Sequence, residues 1–104
     1  MESANSYKNG IPHFDGQKYA FWSIRMKTYI QAQGFEIWKS IVDGYTTRIV
    51  PPTNDKVVKL GENNSKATNT LLNGLSDMVF TNVAHCKSTK EIWDKLQNIY
   101  EGDS

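Results

Sequence analysis

Ser88-Thr89-Lys90-Glu91 spells a helix start, and the eleven residues that follow form one amphipathic pattern with its own stop. In such an S-x-x-E box the serine hydroxyl accepts a backbone N–H three residues on, and the glutamate reaches back to a free N–H at the entry. Ile92, Trp93, Leu96, Ile99 and Tyr100 then recur at three-and-four spacing, which lays them along one apolar stripe. Gly102 supplies the stop. A helix specified at both ends, with a tryptophan in its first turn, has to dock on other helices.

The same signals recur upstream. Residues 1–13 read as a flexible arm. Asp15-Gly16 marks a turn, and Asp15 is expected to cap a helix beginning near Gln17. Tyr19, Trp22, Met26, Tyr29, Ile30 and Gln33 share one face of it at about 100° per residue, and Gly34 ends it. A shorter helix follows at once, striped by Phe35, Trp38, Ile41 and Val42 and stopped at Gly44. With almost no loop between them, these two helices should pack as neighbours at a sharp angle.

Residues 45–53 read as an extended connector, rich in β-branched side chains and closed by Pro51-Pro52, which cannot continue a helix. Asn54 or Asp55 then caps a third helix reaching about Asn73, with Val57, Leu60, Asn64, Ala67, Leu71 and Leu75 on one face. Gly61, Asn63 and Asn64 each cost up to about 1 kcal/mol relative to alanine in such a place, so its first half is expected to fray or bend. After Gly74, Ser76 or Asp77 caps a short fourth helix carrying Met78, Val79 and Val83. The expected fold is all-α: a compact bundle of about five helices, one domain over residues 14–102.

Chemistry is harder to find. The 104 residues carry a net charge of +1, so no imbalance points to nucleic acid, membrane or an acidic substrate. Lys87, Lys90 and Lys95 are the closest basic grouping, and Glu91 and Asp94 dilute it. The single cysteine excludes an internal disulfide and suits a reducing compartment, the cytoplasm and by extension the nucleus. No apolar run approaches the roughly 20 residues that span a bilayer, and the polar start is no signal peptide. His13 stands alone, and His85 beside Cys86 lacks partners at a metal or nucleophile spacing. Cys86 reads as a partly buried packing residue. Asp15, Asp55, Asp77 and Glu91 are accounted for at helix starts, where the dipole favours them. No enzyme, metal site or cofactor is expected.

The aromatics raise a different question. Trp22, Trp38 and Trp93 fall on inward stripes, but Phe21 and Ile24 lie nearly opposite Tyr19 on the first helix. Either that helix is central and buried on both sides, or its second face is an exposed apolar patch of the kind that marks partner sites. Tyr45, Ile49 and Val50 in the connector pose the same alternative.

Phe14-Asp15-Gly16-x-x-Tyr19-x-x-Trp22-x-x-x-Met26-x-x-Tyr29-Ile30 resembles the opening of the Gag polyprotein of copia-type LTR retrotransposons, which are common in plant genomes. Trp38 with Val42-x-Gly44-Tyr45, then Ala67 and Leu75-Ser76-Asp77 with Val79 and Val83, continue the likeness. Ser88 through Leu96, with Tyr100, is similar to the family's most recognisable stretch, usually read TAKEIWDKL…Y. Tyr19, Trp22, Met26, Trp38, Leu75, Trp93, Leu96 and Tyr100 are the signature positions, and they should be core.

The resemblance implies a capsid-like N-terminal lobe, non-enzymatic, that makes protein–protein contacts and self-associates in the setting of a longer polyprotein. These 104 residues contain no second lobe and no C-x-x-C-x-x-x-x-H-x-x-x-x-C knuckle, so RNA binding by a knuckle does not carry over. An alternative is a domesticated binding module that takes a host or pathogen peptide in a groove between helices, with Phe14, Phe21, Ile24, Tyr45 and Ile49 as candidate contacts. Nucleic-acid binding through Lys87, Lys90 and Lys95 is a third and weaker reading.

Overall fold

A computed structural model describes residues 7–44 and 55–101, leaving aside the side chains of residues 56 and 57. The connector expected over 45–53, with Tyr45 and Ile49, and the stop expected at Gly102 lie outside these residues. Among the described residues five helices follow one another: α1 Tyr19–Gln33, α2 Phe35–Val42, α3 Asp55–Asn73, α4 Asp77–Val83 and α5 Thr89–Tyr100. The fold is mostly helical, as expected.

Helix ends follow local chemistry. Gly34 alone separates α1 from α2: its N–H donates to Ile30 O, and its carbonyl accepts from Ile37 N and Trp38 N. One residue thus closes the first helix and opens the second. Ser76 caps α4 through a hydrogen bond from Val79 N, and Ser88 caps α5 by accepting from Glu91 N at 3.1 Å. The return half of the box lands one residue early, with Glu91 Oε1 accepting from Lys87 N.

The start of α1 departs from expectation. Asp15 Oδ1 accepts from Gln17 N, an Asx turn that lies ahead of the helix rather than capping it. Lys18, at φ 57°, then leads the chain into α1 without a side-chain cap.

Residues 7–12, read from sequence as part of a flexible arm, form a hairpin. Strands β1 (Tyr7–Lys8) and β2 (Ile11–Pro12) pair antiparallel, Tyr7 opposite Pro12 and Lys8 opposite Ile11. Asn9 and Gly10 turn the chain with φ of 54° and 82°, the doubly positive pattern of a type I′ turn that Asn-Gly favours. Two-residue strands do not persist alone. This hairpin is held because its C-terminal side is stitched onto the body: Phe14 N donates to Gly74 O at 2.7 Å, Ser76 N to Phe14 O at 2.9 Å, and Trp22 Nε1 to Pro12 O at 3.2 Å.

The core draws on every helix. Met26 and Ile30 of α1, Ile37 and Ile41 of α2, Ala67 and Leu71 of α3, Val79 and Val83 of α4, and Ile92 and Leu96 of α5 are buried together. A run of aromatic rings crosses it: Phe14 stacks on Trp22 at 4.8 Å, Trp93 lies 5.6 Å from Trp22, and Trp38 meets Trp93 edge-on at 5.3 Å. Among the signature positions, Tyr19, Trp22, Met26, Trp38, Leu75 and Leu96 are buried, and Trp93 and Tyr100 are half-buried against them.

Two faces are rotated from expectation. In α2 the buried set is Ile37, Trp38, Ser40 and Ile41, centred on Ile41, so Phe35 and Val42 swing out to solvent. In α4, Val79 and Val83 turn inward while Met78 is exposed. On α3, Asn63, Ala67, Thr70 and Leu71 are buried, but Leu60 at the same face is exposed. Asn64 has a structural use in mid-helix. Its carbonyl accepts from Thr68 Oγ1 at 2.9 Å, and the Thr89 hydroxyl lies within reach of both Asn64 Oδ1 and the Thr68 hydroxyl, donating its single proton to one of them. This polar seam fastens the first turn of α5 to the middle of α3.

Candidate functional site

The described residues do not assemble a reactive centre from the groups that carry chemistry. No three of their His, Cys, Asp and Glu side chains lie close enough to hold a metal ion. Burial pushes the Cys86 thiol up from its ordinary pKa, and the Glu91 carboxylate beside it adds to the shift. Both effects disfavour the thiolate that a nucleophile requires. His85 is exposed. Tyr19 is pushed up to about 12, by burial first and then by the Glu101 and Asp94 carboxylates, and its ring stacks against Tyr100. That is the environment of a neutral packing phenol. Among the described residues no helix is long and apolar enough to cross a membrane.

Within the expected basic grouping, Lys90 is held by an acid of its own helix. Lys90 Nζ donates to Asp94 Oδ2 at 2.9 Å one turn away, so its charge is locally neutralised. Asn63-Asn64-Ser65 has the Asn-x-Ser form of a glycosylation acceptor, but Asn63 is buried in α3.

What the surface does carry is apolar. Phe21 and Ile24 are 61% and 65% exposed on the outer side of α1, whose other side supplies Tyr19, Trp22, Met26 and Ile30 to the core. Of the two alternatives for this face, the structure has the exposed patch. Three residues apart on a helix, the two side chains are neighbours. Arg25 follows on the same side, its guanidinium 6.0 Å from the ring of Tyr7.

A second apolar feature lies where α2 leaves α3. A cleft of about 680 Å³ opens there, lined by Phe35, Ile37 and Leu60, with Glu36, Lys59 and Lys66 among its polar residues. Phe35 and Leu60 are 61% and 51% exposed. An inter-helix groove is therefore present, but not with the contacts expected from sequence. Phe14 is 1% exposed at the centre of the aromatic run and is a core residue, not a groove contact. Phe21 and Ile24 are on α1's outer face, away from the cleft lining, and Tyr45 and Ile49 fall outside the described residues. The available signal for the cleft was the width of the α2 stripe: once Ile37, Trp38 and Ile41 face inward, Phe35 cannot.

Family comparison agrees with the signature from Met26 onward, α5 included. A family model described as the gag-polypeptide of LTR copia-type matches residues 26–104. That span includes α5 and its capping box, and it begins after Phe14, Tyr19 and Trp22, which continue the same core outside the match. No curated protein and no solved structure matches the chain. With most of its length covered, from the second half of α1 onward, the chain belongs to the gag-polypeptide family of copia-type LTR retrotransposons.

Proposed function

We propose that this is a non-enzymatic interaction domain that works by protein–protein contact, first of all with copies of itself, through the outer face of α1. The observation that carries the reading is the pair Phe21 and Ile24, large apolar side chains left in solvent on a helix whose opposite side is fully used by the core. Single exposed apolar residues are ordinary, but adjacent ones at helical spacing make a patch that association would remove from water. Family membership supports the same reading, because Gag domains are structural in general.

The test is particle mass over a concentration series. The wild-type chain should gain mass with concentration, and Phe21→Ser with Ile24→Ser should abolish the gain while keeping helicity. A wild-type chain that stays monomeric at every concentration would remove the proposal.

The α2–α3 cleft favours a second reading, peptide capture. Its volume lies within the range of ligand sites, and Phe35 and Leu60 offer apolar walls to an inserted side chain. Screening a library of short peptides against the wild type and against Phe35→Ser with Leu60→Ser tests it: binders lost with the double variant support capture, and an absence of binders rejects it.

A further inference from the structure

The chain contains the dipeptide Asn-Gly twice, and the fold treats the two copies in opposite ways. Asn73-Gly74 closes α3. There Gly74 N donates to Leu71 O at 3.1 Å, the Asn73 amide nitrogen donates to Asn69 O and Oδ1, and Gly74 is buried beneath Pro12 and Met26. Asn9-Gly10 forms the tip of the hairpin. Both residues are exposed, both have positive φ, and nothing lies within 4 Å of the position a Gly10 side chain would take.

We infer that Asn9 is a site of spontaneous covalent modification, converting to isoaspartate and aspartate in the folded protein while Asn73 is protected. The Gly10 main-chain nitrogen, giving up its proton, attacks Asn9 Cγ. The new N–Cγ bond closes a five-membered succinimide, the Cγ–Nδ2 bond breaks, and ammonia leaves with the proton. Water then opens the ring. Attack at the main-chain carbonyl leaves isoaspartate, with the chain running through Cγ; attack at Cγ leaves aspartate. No oxidant or cofactor is needed. Glycine is the residue that obstructs the attacking nitrogen least, and an exposed turn admits both the distortion and the water. At Asn73 the same attack would first have to break the Gly74 N–H bond to Leu71 and the amide's bonds to Asn69.

The consequence falls on the hairpin. Isoaspartate adds a main-chain atom to a two-residue turn and a negative charge at its tip, so the Tyr7–Pro12 and Lys8–Ile11 register is lost.

The test is to incubate the folded chain in mildly alkaline buffer and map it by mass spectrometry, with isoaspartyl methyltransferase labelling to distinguish the two products. Conversion at Asn9 should exceed that at Asn73 by at least about tenfold, the factor that about 1.4 kcal/mol of barrier supplies. In denaturant the two sites should converge, because the difference belongs to the fold. After incubation, methyl labelling at residue 9 should fall sharply in Gly10→Val. Equal conversion of the two sites in the folded chain, or conversion confined to Asn73, would overturn the inference.

Discussion

A methyl group placed on Gly74 would lie 2.7 Å from the carbonyl oxygen of Pro12 and would also strike the end of Met26. That oxygen is not free to retreat, since it accepts the indole N–H of Trp22. Gly74 therefore sets how closely the N-terminal strand can approach the α3–α4 turn, and through the Phe14–Gly74 and Ser76–Phe14 hydrogen bonds it sets where Phe14 enters the core. Gly74→Ala should destabilise the fold by about 2–3 kcal/mol, the cost of overpacking against backbone that cannot move. The midpoint of urea unfolding should fall with little change in slope.

The seam between α3 and α5 makes a second prediction. Thr89→Val keeps the shape of the side chain but strips the donor from Asn64 Oδ1 and the partner from Thr68. With Asn64 and Thr68 only half-buried, and Thr68 still bonded to Asn64 O, the loss should cost about 1 kcal/mol. Ser88→Ala one residue earlier should cost about 1 kcal/mol, the loss of an N-cap. Thr68→Val combined with Thr89→Val should cost less than the sum of the two, because the pair share one bond. Thermal unfolding of the wild type, the three single variants and the double variant measures each of these.

Alkaline stability gives a third. Tyr19 carries a folded-state pKa pushed up to about 12 against an ordinary value of 10.0. The folded state holds this proton more tightly than the unfolded chain does, so the stabilisation is full below pH 10 and is lost as the pH rises from 10 toward 12. Tyr19→Phe should lower stability little at neutral pH and flatten the decline across that window. Urea midpoints taken at neutral and at strongly alkaline pH distinguish the two slopes.

How much of this was legible beforehand depends on how local each signal was. The bounds of α3 and the caps at Ser76 and Ser88 rest on chemistry within one helical turn, and the structure has them where the sequence puts them. The hairpin at residues 7–12 was not legible. Its two-residue strands carry almost no periodicity, and their stability comes from contacts with Gly74 and Trp22, far along the chain. The rotation of α2 is likewise tertiary: Ile37 and Ile41 face inward, and Phe35 is left to line the cleft. Asn64 looked like a weak point in α3, and only the arrival of Thr89 gives it partners.

For the surface, the directions of Phe21 and Ile24 separate structure from interaction. Both are exposed, so replacing them with serine should shift folding stability by no more than about 0.5 kcal/mol. If the double variant loses helicity, these residues belong to the core and the patch does not exist.

Sedimentation velocity across a wide concentration range decides the central claim. Four chains should be compared: wild type, Phe21→Ser with Ile24→Ser, Phe35→Ser with Leu60→Ser, and both pairs combined. The wild type and the cleft variant should sediment faster as concentration rises, while the two chains lacking Phe21 and Ile24 should stay at the monomer value with unchanged helicity. Association that survives the loss of Phe21 and Ile24, or a wild type that remains monomeric throughout, would contradict the claim.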